Sequence, residues 1–300
     1  MVALSHCPGK SYRIEKNEAL SDALGRIAAE EIALALAELR RPNRAQAMHN
    51  TRKSLKRLRS LLRSLRVAFP KNLFRQENRR LAAAGRKIAP LRDVHVQLHT
   101  LGRLRAATGP VARKTERSLR RRQDAFMRKI PALRRAVRQM LSASREIIAS
   151  WPTDRATPRS LAAGLKRIYK RGRIALKAAR QKPSPQSLHE WRKQAKILGH
   201  GLALIERLGP RKAGAMIKRT EQLCQALGDD HDLFLVLQAL RQEDAAHPAR
   251  DYHRLSNRIS SKRARLQERA FKLGKKIFDE KPGAFERRLE GWLCRKLPKK

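Results

Sequence analysis

Apolar residues recur three or four positions apart along most of this chain, and no stretch alternates convincingly as a half-buried strand would. The pattern therefore predicts helices. The first spans 14–40 with a stripe of Leu20, Leu24, Ile27 and Ile32; Pro42 and Asn43 end it and start the next. The second, 43–69, carries a seam of Met48, Leu55, Leu58, Leu62, Leu65 and Phe69, a repeat of about 3.5 residues typical of helix bundles. Pro70, Pro90 and Gly109-Pro110 read as further boundaries, and a long basic helix over 111–149 is expected to break or bend near Pro131. In WPTDRATP, 151–158, two prolines bracket polar residues, which is the composition of a hinge. Beyond it the pattern restarts, with helices at 159–180, at 185–207 behind the cap Ser184 and Pro185, and at 211–227, 231–246, 249–280 and 283–296. The expectation is an all-α protein of two similar helical bundles, 1–150 and 151–300, related by a pseudo-twofold internal repeat.

Two landmarks carry the repeat. HNTRKSLKRLRSLLRSL at 49–65 returns as HEWRKQAKILGHGLALI at 189–205, so His49, Arg52, Lys53 and Lys56 match His189, Arg192, Lys193 and Lys196. At about 100° per residue the His, the Arg and the second Lys share one narrow stripe. Leu58, Leu62 and Leu65 match Leu198, Leu202 and Ile205 on a different face, so each copy keeps both its core seam and its cations. Further on, IAPLRDVHVQL at 88–98 aligns with LGDDHDLFLVL at 227–237 and sets Asp93 opposite Asp232. The separation from His to Asp is 44 residues in one half and 43 in the other, too constant for accident. Equivalent packing would turn both cationic stripes toward one shared channel or groove.

Charge changes what such a groove is for. The chain has 71 Lys and Arg against 26 Asp and Glu, a formal charge of +45, which opposes compaction and calls for a polyanionic partner. Disorder is excluded, because 41% of the residues are hydrophobic and fall at helical spacing. Three scattered cysteines, Cys7, Cys224 and Cys294, form no CxxC pair, which points to a reduced protein without a zinc site. The opening MVALSHCPGKSYR has no apolar signal core and no run approaches a membrane span. A soluble cytoplasmic protein with no membrane partner is expected.

These landmarks resemble the CHAD family, the conserved-histidine α-helical domain, whose pattern is a helix reading roughly HxxRKxxKRLR, a later LRDxxV-like turn, and a weaker second copy of both. HNTRKSLKRLR at 49–59 and LRDVHV at 91–96 match the first copies; HEWRKQAK at 189–196 and LGDDHDL at 227–233 are similar to the second. The resemblance covers essentially the whole chain. It implies two four-helix-type bundles with pseudo-twofold symmetry, and a basic surface or channel that binds inorganic polyphosphate, placing the protein at polyphosphate granules. The residues expected to hold that ligand are His49, Arg52, Lys53, Lys56, Arg57, Arg59 and Arg63, with His189, Arg192, Lys193 and Lys196 from the second copy. Lys166, Lys170, Arg173 and Lys177 form a further cationic row on the preceding helix, equally readable as a solvated face. Ile197 and Gly199 stand where the first copy has Arg57 and Arg59, so the second half should grip more weakly. Some family members carry a fused triphosphate tunnel enzyme domain; the ExE pair of its metal motif occurs nowhere here.

Polyphosphate offers a charge on every unit and no base or sugar to read, so recognition needs dense Arg and Lys and little else. Asp93 and Asp232 are expected as helix caps that also orient a neighbouring Arg or Lys, since a carboxylate aimed at a polyanion would be repelled. His231-Asp232 is similar to the paired ligands of HD-type metal phosphohydrolases, but the first half has Arg92-Asp93 in that place. No catalytic residue, metal site or cofactor is therefore assigned, and no enzyme activity is expected. Nucleic acid is the alternative partner, because its electrostatics are the same. Against it, aromatics make up only 4% of the chain and none lies in the first basic motif, leaving no stacking platform there.

Overall fold

A computed structural model describes residues 12–42, 44–104, 109–244 and 250–298. These residues form nine α-helices, two single 3-10 turns and no strand. The helices are α1 (Leu20–Glu38), α2 (Arg44–Ser64), α3 (Lys71–Gly102), α4 (Pro110–Ala149), α5 (Pro158–Gln181), α6 (Pro185–Leu204), α7 (Arg211–Asp244), α8 (Arg250–Ile277) and α9 (Pro282–Lys296). The all-α expectation holds. The helix order also runs twice: α3 begins at 71 and α7 at 211, α4 at 110 and α8 at 250, the same interval that separates the two motifs. The opening residues through position 11, with Cys7, the helix start at Asn43 and residues 245 and 246 lie outside the described residues.

Local chemistry sets the starts. Thr157 and Ser184 each accept a hydrogen bond from the backbone three residues on, and Ser160 and Ser187 reciprocate. Pro158 and Pro185 follow at the first helical position, where a missing N–H costs nothing. Two prolines behave otherwise. Pro90 and Pro131 lie inside α3 and α4 rather than ending them, and both are exposed. On the buried side Ile88, Leu91 and Val94 continue one seam past Pro90, and Ile130 and Val137 another past Pro131. Tertiary packing of that face outweighs one lost hydrogen bond on the solvent side. For the same reason the expected break near 228–230 is absent: Leu223, Ala226, Leu227, Leu233 and Val236 are buried along one unbroken α7.

Consecutive helices pair as α1–α2, α3–α4, α5–α6 and α7–α8, and α2 also packs on α5 and α6. Small residues allow that approach. A Cβ on Gly164 of α5 would fall on the carbonyl oxygen of Ser64, and one on Gly201 would lie 2.7 Å from Leu165. Ser60 donates to the Ile197 carbonyl at 2.9 Å, tying α2 to α6 directly. The larger apolar cluster runs through both halves, from Ile14 and Leu24 to Phe285 and Leu293. A second one, with Val94, Leu119, Val236, Leu240 and Ile259, binds α3 and α4 to α7 and α8. The expected hinge is a packed strap. Trp151 is buried edge-on to Phe69 with ring centroids 5.5 Å apart, Ala156 is buried, and the turn Thr153–Arg155 packs on α1. Among the described residues no helix is long and apolar enough to cross a membrane.

Candidate functional site

Because α2 lies against α6 and α3 against α7, the two landmarks of each copy arrive at one place. The charge of Lys56 on α2 is felt by Arg52 on its own helix, by Lys196 and Arg192 on α6, and by Arg92 on α3. Arg92, Arg192 and Lys196 in turn surround Asp232 on α7. The result is a cationic cluster, a candidate groove, to which α2 and α6 contribute on one side and α3 and α7 on the other.

The cations are dense and poorly solvated. Burial, reinforced by Lys196 and the neighbouring arginines, pushes the Lys56 ammonium well below the usual lysine value. Burial and the charge of Arg192 push Lys196 down to about 7. Arg192 is only 7% exposed, so little water offsets its charge. Arg52 donates from one terminal nitrogen to the Gly85 carbonyl at 3.0 Å. The Nε groups of Arg52 and Arg192, equivalent in the two copies, are both buried without a hydrogen-bond partner. Two matched donors held unused in a cationic groove are what an anion would satisfy.

The groove continues along α2. Arg59 donates to Asn78 at 3.3 Å and faces Arg86 of α3. Burial, with Arg59 and Arg171 nearby, brings Arg63 down to about 10. At the other end lie the imidazoles. Desolvation and the charges of Arg92, Lys56 and Lys53 hold His49 below its ordinary value. His189 and His231 stand 4.8 Å apart, and burial together with Arg192 and His189 pushes His231 down to about 3. These rings are therefore neutral near pH 7 and offer hydrogen bonds rather than charge.

Of the expected ligand residues, the structure brings His49, Arg52, Lys56, Arg59, Arg63, His189, Arg192 and Lys196 together. Lys53 flanks them near His49, and Lys193 sits at the rim, donating to Glu190 at 2.6 Å. Arg57 goes elsewhere. It is buried in an ion pair with Glu31 at 2.8 Å, over the ring of Tyr12, inside the α1–α2 core. Lys166 pairs with Glu286 at 2.5 Å, and Arg173 donates to the Glu280 carbonyl at 2.8 Å, so this row of α5 serves α9 and the segment before it. Lys170 and Lys177 follow the same exposed row. The α5 cation that does reach the groove is Arg171.

Asp93 and Asp232 are not caps, since both sit well inside α3 and α7. They lie among the cations: Asp93 is 3.7 Å from Arg92, and burial raises the Asp232 carboxyl despite Arg92 and Arg192 beside it. Their charge partly neutralises these arginines, and Asp232 Oδ1, like the Arg52 and Arg192 Nε groups, is buried without a hydrogen-bond partner. Arg92 and His231 were legible as the residues before those aspartates, and Arg86 stands one heptad before Asp93 on the same face. Among the described residues no three side chains of His, Cys, Asp or Glu converge as a metal site.

Comparison with known proteins bears on family and fold. A family model described as CHAD domain matches residues 18–241. None of the curated proteins matches the chain. Among solved structures, the CHAD domain from the plant Ricinus communis is similar with a TM-score of 0.58 at 16% identity, covering 93% of this chain and 94% of that one. PptA from Streptomyces chartreusis is similar with a TM-score of 0.60 at 16% identity, covering 87% of this chain and 98% of that one. At that identity both likenesses speak to fold.

Proposed function

Since this chain belongs to the CHAD domain family, we propose that its four-helix cationic groove binds inorganic polyphosphate, and that the protein associates with polyphosphate granules. The observation that carries the reading is the matched pair Arg52 and Arg192, each with a buried, unpartnered Nε, flanking the facing lysines Lys56 and Lys196. A linear chain of phosphates offers repeated oxygens to forks on both sides, and each new contact releases counterions. Tyr12 and Trp191 are buried in the core, and Phe234, within the 227–237 landmark, is half-buried beneath the Arg263 guanidinium, so no exposed ring stands at these motifs for a base to stack on. That favours polyphosphate over nucleic acid.

Binding rather than turnover is the proposed role. A polyanion in this groove meets cations and neutral imidazoles; of the carboxylates Asp93 lies 3.7 Å from Arg92, and Asp232 stands in the field of Arg92 and Arg192. The test is a competition titration at one fixed salt concentration, with long polyphosphate set against RNA, DNA and short phosphates. Polyphosphate should hold its place against nucleic acid at equal phosphate concentration, and no phosphate should be released with or without divalent metal. Equal displacement by RNA would reduce the reading to general polyanion binding.

A further inference from the structure

A second concentration of charge lies outside the groove, on α8. Arg254, Arg258, Lys262, Arg265, Arg269, Lys272 and Lys276 follow one another three or four residues apart, and all are exposed. At 100° and 1.5 Å per residue they occupy an arc of about 80° and a length of about 33 Å. The rest of the helix is spent on packing: Leu255, Ile259, Ala270 and Ile277 are buried, Arg263 donates to Asp230 at 2.9 Å, and Phe271 stacks on Trp191. Of the seven, the Lys272 side chain is paired, to Glu268 at 2.6 Å; among the described residues the other six side chains form no hydrogen bond or ion pair.

A merely solvated helix face mixes its signs, as α1 does where Arg26 pairs with Glu30 one turn on. Like charges at these spacings repel, and α8 keeps an unbroken series of them. The face is one helix wide and convex. Among the described residues the exposed large hydrophobics are Leu34, Val67 and Ile174, none on α8, so nothing there stacks on a base or enters a bilayer. A flexible linear polyanion matches that shape.

We propose that this outer face of α8 is a second polyanion track, holding a separate strand of polyphosphate while the groove holds the first. One molecule then bridges two strands. The inference rests on the polyphosphate reading of the groove.

Calorimetric titration with long-chain polyphosphate should resolve a tight and a weaker class of site, and mixtures should scatter light as strands are bridged. The variant carrying R254Q, R258Q, K262Q, R265Q, R269Q and K276Q should lose the weaker class and the scattering. It should keep the tight affinity within about twofold, because the two surfaces share no residue. A single class in the parent, or scattering undiminished in the variant, overturns the track. So does preferential displacement of the weaker class by duplex DNA at equal phosphate, which would make a duplex the occupant. The pair R52Q with R192Q should instead remove the tight class and spare the weaker one. If that pair changes nothing, the groove reading falls and the bridge with it; if only the six-fold variant is silent, the track alone falls.

Discussion

Arg52 and Arg57 stand five residues apart on α2 and serve opposite ends. Arg57 neutralises Glu31 inside the core, so Arg57→Ala would strand a buried carboxylate at a cost of about 3–5 kcal/mol. Chemical denaturation should show that loss while the folded variant binds polyphosphate like the parent, whereas Arg52→Gln should weaken binding and leave stability nearly unchanged. The motif alone could not separate the two, because the distinction is made by Glu31, a partner 26 residues earlier in the chain. Lys196 makes a different prediction. Its folded value of about 7 lies below the ordinary 10.5, so between those values the unfolded chain holds a proton that the empty folded protein lacks. That proton favours unfolding, and the stability of the empty protein should therefore rise as pH climbs through this window. Bound phosphate reverses the preference and restores the proton. Binding near pH 8 should take up about one proton, seen as buffer-dependent heat, and affinity should fall by up to about tenfold per pH unit above 7. Lys196→Arg, whose charge is permanent, should remove the share of the uptake that Lys196 carries and leave the share of Lys56, whose ammonium burial also depresses.

Helices and their neighbours were read from the sequence with unequal success. Period and capping gave α5 and α9 to within one residue and the start of α6 to the residue, because Pro185 behind Ser184, or Pro282 at the start of α9, is a local signal; α2 stops at Ser64, five residues short of the expected 69. Pro90, Pro131 and the Gly-Asp-Asp run of α7 misled, since what carries a helix through such residues is the apolar face it shares with others. The α5 row of Lys166, Lys170 and Arg173 shows the same limit: its periodicity was real, but its direction depends on α9. The junction of α2, α5 and α6 is where α2 and α6 are set against each other. Gly164→Ala would push its new methyl onto the Ser64 backbone, which cannot rotate away. We expect a loss of about 2–3 kcal/mol in urea denaturation, with helical content largely kept.

At the scale of the molecule, the charge of +45 makes salt act in two directions. Screening relieves self-repulsion, so the melting temperature of the empty protein should rise by a few degrees with added salt. Affinity for polyphosphate should move the other way, falling about a thousandfold or more between about 50 and 200 mM salt if some seven cations of the groove are neutralised. Differential scanning calorimetry and titration on one salt series would check both signs together. Fold class, the repeat of helix order and the main groove residues were legible because each is written as spacing along the chain; Arg171 and the packed strap were not, because their places are set only by contacts between distant segments. The apolar cluster that crosses from Leu24 to Leu293 has one more consequence. Neither half owns a complete interior, so the chain should unfold in a single cooperative transition rather than in two steps. A fragment cut at the strap would carry a bare apolar flank shaped to fit its counterpart, and its natural fate is to dimerise, rebuilding from two identical chains the arrangement that this protein encodes in one.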